Sequence, residues 1–237
     1  MRYFLGLEIA RNKDGIMVGQ RKFALDLISD FGLAGTKPIS TPLEVNQRFT
    51  SQDFDMNCES HEPHEDVILS DPTGYQKLVG KLLYLTMTRP DISYAVQNLS
   101  QFMHKPKKSH MEGALRVIRY LKNAPGLGVM LSSKASKQLS VYCDADWATC
   151  PMTRRSVSGF VVKIGDSLIS CKSKKQNTVS RSSAEAEYRS MTNAVAEVVW
   201  LVGLYKELKV ELELPVKLFC DSKAALQILE GEYRRRQ

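Results

Sequence analysis

Leu139-Ser140-Val141-Tyr142-Cys143-Asp144-Ala145-Asp146 alternates apolar and polar side chains and closes on two acids. Alternation with a period of two is the pattern of a strand that buries one face. Residues 127–131, 159–164 and 168–172 read as further strands, and Gly165-Asp166 makes a two-residue hairpin turn between the last two. Next comes a long helical stretch, from about Ser182 to Leu208. Pro215 closes its exit loop, residues 216–220 form one more strand, and Ser222 stands where it can N-cap a helix running to Leu229. From residue 139 the order is strand, strand, strand, helix, strand, helix. Three consecutive strands pair as an antiparallel meander. The fourth follows a helical crossover and returns parallel to the first. The expected fold class is therefore α/β with a mixed sheet.

Upstream the period changes to 3.6. Residues 3–9 and 15–19 are short apolar runs around Asn12-Lys13-Asp14-Gly15, a hairpin signal. Apolar positions 23, 24, 27, 28 and 31 define a helix face stopped by Gly32. Leu78, Val79, Leu82, Leu83 and Leu85 mark one helix, Ala95, Val96, Leu99 and Phe102 a second, and Met111, Ala114, Leu115, Ile118 and Leu121 a third. Pro90 and Pro106 punctuate them. The expected organisation is a hairpin and helix over 1–50, an acidic linker over 51–71, a helical segment over 72–125, and the mixed sheet over 126–237.

The chain has 237 residues and a formal net charge of +7, unevenly spread. Residues 51–71 hold seven acids and no Lys or Arg. Lys105, Lys107, Lys108, Arg116, Arg119 and Lys122 form one basic block, and Arg154, Arg155, Lys163, Lys172, Lys174, Lys175 and Arg181 a second. Such blocks suit a polyanionic partner. Five cysteines without a Cys-x-x-Cys spacing argue against a disulfide framework or a zinc site, and Cys143 and Cys220 read as small buried hydrophobes. No run approaches the ~18 apolar residues of a membrane span. No membrane partner is expected, and the expected location is intracellular, cytoplasmic or nuclear.

Three acids separate from the solvated ones. Asp144 and Asp221 each follow an apolar run, at the carboxyl ends of two strands expected to be parallel neighbours. Ligands of open α/β sheets bind at that edge. Glu187 shares a helix face with Met191, Ala194 and Val195, where a carboxylate is costly unless paired or metal-bound. Convergent carboxylates are the ligands that hard divalent ions choose. Asp146 rivals Asp144 at this stage, because it lies two residues on and faces the same side.

The words Tyr142-Cys143-Asp144-Ala145-Asp146-Trp147-Ala148, Thr153-Arg154-Arg155-Ser156-Val157-Ser158-Gly159, Ser180-Arg181-Ser182-Ser183-Ala184-Glu185-Ala186-Glu187-Tyr188 and Phe219-Cys220-Asp221-Ser222-Lys223-Ala224-Ala225 resemble the ribonuclease H domain of Ty1/copia-type retrotransposon Pol polyproteins. Tyr3-Phe4-Leu5-Gly6-Leu7-Glu8-Ile9, Tyr75-Gln76-Lys77-Leu78-Val79-Gly80-Lys81-Leu82-Leu83-Tyr84-Leu85 and Thr88-Arg89-Pro90-Asp91-Ile92 resemble the end of the reverse transcriptase palm and the thumb and connection region of the same polyproteins. The resemblance implies a ribonuclease H-like sheet, with Asp144, Glu187 and Asp221 as catalytic metal ligands. The implied cofactor is Mg²⁺, two ions, or Mn²⁺, and the implied substrate is the RNA strand of an RNA–DNA hybrid. One ion would activate a water and the other would stabilise the leaving oxygen. Lys172, Lys174, Lys175 and Arg181 are expected to hold backbone phosphates near the site, and Arg116, Arg119 and Lys122 to grip the duplex upstream. Other parts of the polyprotein are further expected partners.

The sequence departs from the family pattern twice. The Tyr-x-Asp-Asp word of the polymerase site does not occur, so no polymerase activity is expected. A last strand, and a helix bearing a fourth acidic ligand, are not recognisable after Leu229, and the chain reads as truncated at both ends. Three readings stay open: an active ribonuclease H, a catalytically inactive remnant that binds nucleic acid, and a gene fragment without function.

Overall fold

The computed structural model describes residues 2–57 and 66–235, the last five as backbone only. The chain divides into two compact units, Met1–Ala10 with Met17–Val129 and Arg11–Ile16 with Met130–Gln237. Among the described residues no helix is long and apolar enough to cross a membrane.

In the first unit the opening strand is interrupted. Leu5 and Gly6 both take positive φ, at 48° and 76°, so β1 (Tyr3–Phe4) turns back on β2 (Leu7–Asn12) as an antiparallel pair. After Asn12 the expected hairpin turn forms, because the Asn12 Oδ1 accepts the N–H groups of Asp14 and Gly15 at 2.9 and 3.0 Å. It leads into β3 (Gly15–Gly19), and the sheet order is β1-β2-β3-β4, with β4 at Gly128–Ser132. Helix α1 (Arg21–Asp30) stops just before Gly32, whose φ is +66°.

A short helix α2 (Gln52–Asn57) precedes α3 (Thr73–Leu85), α4 (Ser93–Leu99) and α5 (Lys108–Leu121). Pro90 opens a 3₁₀ turn over Pro90–Ile92 rather than α4 itself, and residues 100–102 are a second 3₁₀ turn. The core is Tyr75, Leu78, Val79, Leu82 and Leu85 of α3 with Ala95, Val96, Leu99, Ala114, Val117, Ile118 and Leu121, all at most 1% exposed. Leu83, expected on that face, is 39% exposed. The acidic stretch 51–71, expected as a linker, is tied down wherever it is described. Asp55 and Asp66 both pair with the Lys107 ammonium, and Ile68 bridges to Lys107 in an antiparallel contact.

The second unit carries the mixed sheet, in the order β7-β6-β5-β8. Strands β5 (Gln138–Asp146), β6 (Val157–Ile164) and β7 (Ser167–Lys175) make the antiparallel meander, and β8 (Glu213–Phe219) runs parallel to β5. The crossover between β7 and β8 is α6 (Ser183–Glu207), and α7 (Lys223–Arg235) follows β8 and runs past the expected end at Leu229. Ser182 caps α6 by accepting the Glu185 N–H at 3.2 Å. Leu139, Val141 and Cys143 of β5, Phe160 and Val162 of β6, and Met191, Ala194 and Leu201 of α6 form one apolar cluster, joined by Ala225 of α7. Full burial of a side chain of this size contributes about 1.5–3 kcal/mol. α6 is therefore clamped across one face of the sheet, and this fixes where Glu187 points.

Candidate metal centre

The register of β5 and β8 places the two strand-end acids together. Tyr142 stands opposite Phe219, so the chain continues to Asp144 on one strand and to Asp221 on the other, at the same sheet edge. Both carboxylates are exposed. Glu187 comes from the second turn of α6 and is 7% exposed. Its Oε1 accepts the Ala145 N–H at 3.1 Å, the residue next to Asp144. Ligand atoms of Glu187, Cys220 and Asp221 lie within 4.8 Å of one another.

The electrostatics follow from burial and like charge. Burial raises the Glu187 carboxyl to about 7, and the negative charges of Asp144 and Asp221 push the same way, against the Ala145 N–H. Burial and the Asp144 charge also raise Asp146. Among the described residues no ion pair reaches Asp144, Glu187 or Asp221. A buried carboxylate facing two others without a basic partner is an arrangement that a divalent cation neutralises. The hard oxygen donors present suit Mg²⁺ or Mn²⁺. Glu185 has the opposite environment. It pairs with Arg189 at 2.7 Å, accepts the Arg181 N–H, and is held below the usual carboxylate range by that N–H and by the Arg189 guanidinium.

A buried polar network holds the start of α6 against the sheet. Ser190, fully buried, donates to the Asp144 carbonyl at 2.7 Å and lies 3.2 Å from the Gly159 carbonyl. The Gln176 amide donates to Ser158 and to the Ala186 carbonyl, each at 2.9 Å, and its oxygen accepts from Ser180. Satisfied networks of this kind rigidify what they join. Sequence reasoning did not single out Gln176 or Ser190. The pattern gave no sign of them, because apart from Ser180 their partners lie 10 to 46 residues away. Trp147 is 49% exposed, with its indole N–H donating to the Ser180 carbonyl at 3.0 Å.

The basic residues divide by unit. Lys172 and Lys174 are exposed on the edge strand β7, and Arg181 is exposed just before α6. Lys172 opposes Phe160, Lys174 opposes Ser158, and β6 in turn pairs with β5. These lysines stand two strands from the β5 acids, about 10 Å at the usual strand spacing. The Lys175 ammonium lies 3.7 Å from the Cys150 sulfur.

In the first unit the helix α5 bases have other partners than a duplex. Arg116 pairs with Glu44 at 2.9 Å and donates to Thr41, Arg119 donates to the Lys37 carbonyl, and the Lys122 ammonium is surrounded by the carbonyls of Leu33, Ala34 and Thr36. These three side chains strap segment 33–44 to α5, an employment the exposed-face reading did not anticipate. His61 and His64, which with the acids around them read in the sequence as part of a solvated linker rather than a metal loop, lie outside the described residues.

No protein-family model and no solved structure matches the chain. Among curated proteins it is 40% identical over 225 residues to the retrovirus-related Pol polyprotein from transposon RE2 of Arabidopsis thaliana, covering 95% of this chain and 15% of that protein. Identity to the corresponding polyprotein from transposon RE1 of the same plant is 39% over 225 residues, covering 95% of this chain and 14% of that one. An uncharacterized mitochondrial protein of Arabidopsis thaliana is 37% identical over 202 residues, covering 84% of this chain and 78% of that protein. The chain thus spans about one seventh of the length of the two polyproteins.

Proposed function

The chain belongs to the copia-type retrotransposon Pol polyproteins as a region of such a polyprotein, and on that premise we propose that its second unit is a ribonuclease H-like domain that hydrolyses the RNA strand of RNA–DNA hybrids. The observation that carries the reading is Glu187, buried and unpaired by any base among the described residues, facing Asp144 and Asp221 at the carboxyl ends of two parallel strands.

Asp144, Glu187 and Asp221 would hold the divalent ions, Mg²⁺ or Mn²⁺, which when bound activate a water for attack and stabilise the departing oxygen. The chain's own residues supply the rest. Asp144 and Asp221 offer exposed carboxylates at the sheet edge, where a phosphodiester has access. The Ala145 N–H holds Glu187, and Ser190 locks α6 to the Asp144 backbone, so the three oxygens keep their spacing without substrate. Lys172, Lys174 and Arg181 lie exposed beside the site and would take backbone phosphates, whose charge makes such contacts salt-sensitive.

The test is cleavage of a labelled RNA–DNA hybrid by the full chain in Mg²⁺. The RNA strand is cut, leaving 5′-phosphate and 3′-hydroxyl ends, and Asp144→Asn lowers the rate by about 10²–10³, the scale of losing one preorganised electrostatic contact to a transition state. Cleavage that survives Asp144→Asn overturns the site. A second reading, a nucleic-acid-binding region without cleavage, is favoured by the exposed lysines of β7. Its signature is salt-dependent hybrid binding that weakens in Lys172→Ala/Lys174→Ala, with no cut product.

A further inference from the structure

The carboxylate cluster has a sulfur edge. Cys220 directly precedes Asp221, and its Sγ lies 3.9 Å from Glu187 Oε2. Behind it stands Cys143, the residue before Asp144 and within hydrogen-bond reach of the Cys220 thiol. Cys143 and Cys220 each follow the last registered pair of β5 and β8, Tyr142 and Phe219, so one thiol and one acid come from each chain segment to the same edge. Mg²⁺ has no use for a thiol, because hard ions take oxygen ligands.

We propose that Glu187, Cys220 and Asp221 form a site for a thiophilic divalent cation of the Zn²⁺ or Cd²⁺ class, with one sulfur and two carboxylate ligands. The spacing fits. Bonds of about 2.3 Å to sulfur and about 2.0 Å to oxygen in a tetrahedral arrangement put S and O about 3.5 Å apart. The 3.9 Å contact therefore has to close by only a few tenths of an ångström. The three ligand atoms already lie within 4.8 Å of one another. They come from α6 and the β8–α7 junction, and Asp221 is exposed to solvent. The Glu187 carboxylate is 7% exposed and has no basic partner among the described residues; the Ala145 N–H and the Cys220 thiol are its hydrogen-bond donors. Binding replaces the S–H bond by an S–metal bond and releases the proton to solvent.

The inference rests on the ribonuclease H-like reading only through two shared ligands. Because a thiophilic ion would draw on Glu187 and Asp221, it competes with the hard ions for those two carboxylates. Soft ions would then act as inhibitors at an edge where oxygen ligands alone would tolerate them less tightly.

The experiment uses the reduced full chain and Cd²⁺ alone, read by sulfur-to-metal charge-transfer absorption in the ultraviolet. The expected result is a saturable band that Cys220→Ser removes, whereas Cys150→Ser and Cys171→Ser retain it. Glu187→Gln, which leaves every thiol in place, weakens Cd²⁺ binding by at least about tenfold, the loss seen even for supporting residues of metal sites. Mn²⁺ competes the band away. A band indifferent to Cys220→Ser, or no band in the folded chain, overturns the proposal. Cleavage of the hybrid in Mg²⁺ without a cadmium band sinks this inference alone. A cadmium band without cleavage leaves it standing and sinks the nuclease reading.

Discussion

The two units bury charge in opposite ways. In the first, the Lys107 side chain is 3% exposed and sits between Asp55 and Asp66, while Arg89, also 3% exposed, pairs with Asp91 at 2.7 Å. Each buried cation has its anion, and the groups are spent on holding 52–57, 66–69 and the 3₁₀ turn in place. In the second unit Glu187 is equally enclosed, yet its charged neighbours are two more carboxylates. A balanced buried pair is architecture. A set of like charges gathered by a rigid scaffold lacks that balance, and this contrast separates Asp55, Asp66 and Asp91 from the acids proposed to bind metal.

Removing the buried charge should therefore have opposite signs in the two units. Lys107→Met strands Asp55 and Asp66 and is expected to cost about 3 kcal/mol, the low end for breaking a buried pair because both acids are partly exposed. Hydrogen exchange of the α3 and α5 amides measures it, and unchanged protection would refute the architectural role. Glu187→Gln keeps the acceptor for the Ala145 N–H and deletes the repelled charge. Without divalent ions at pH 8 it should stabilise the second unit by roughly 2 kcal/mol. Both tryptophans, Trp147 and Trp200, belong to that unit, so their fluorescence during urea unfolding reports on it selectively. Destabilisation would show that Glu187 serves packing instead.

The pH responses should also diverge. Glu187 is raised to about 7 from 4.5, so its contribution to metal-free stability is fully present below about 4.5 and is lost as pH climbs through 7. His110 is lowered from 6.5 to about 4, by burial first and the Lys107 charge second. It accepts the Lys107 N–H at Nδ1, stacks on Phe102 at 4.0 Å, and is stable as the neutral ring. Its contribution is present above 6.5 and disappears as pH falls through 4. Between pH 5 and 8 the tryptophan-reported melting point should fall in the metal-free chain. From pH 6.5 down to 4 the protection of α5 should fall instead, and His110→Gln should flatten that limb.

The smallest contrast uses two helical glycines. A Cβ on Gly113 of α5 would sit 2.5 Å from the Phe49 ring, so Gly113→Ala should cost about 1–3 kcal/mol by overpacking. Gly203 of α6 has open space around that position, and Gly203→Ala should stabilise by up to about 1 kcal/mol through helix propensity alone. Thermal melts of the two variants moving in the same direction would contradict this difference in packing.

Much of the second unit was legible because its signals are local. Alternation marked β5 and β6, Gly165-Asp166 marked the hairpin, and Ser182 marked the start of α6. The position of Glu187 on the apolar face of that helix singled it out before any contact was known. Asp144 and Asp146 stayed rivals in the sequence, since a period of two gives them the same face. The geometry distinguishes their roles only by neighbours: the Asp144 carbonyl is held by Ser190, and Ala145, between the two acids, donates to Glu187.

What stayed hidden depends on distance along the chain. Lys107 looked like one base in a surface block until Asp55 and Asp66, 52 and 41 positions away, closed on it. Arg116, Arg119 and Lys122 read as one basic helix face, and only the fold shows that they strap segment 33–44 to α5. Cys220 looked like a small hydrophobe, and only its 3.9 Å approach to Glu187 makes it a ligand candidate.

The sequence by itself determined the main elements of the second unit, their order and the parallel direction of β8, and it put acids at strand ends and on a helix face, because periodicity and strand-end position are properties of neighbouring residues. Tertiary structure decided which charges are neutralised. Whether a buried group finds a counter-charge depends on what other elements bring within a few ångströms, and Coulomb energy at that range is set by spatial separation, to which sequence separation is no guide.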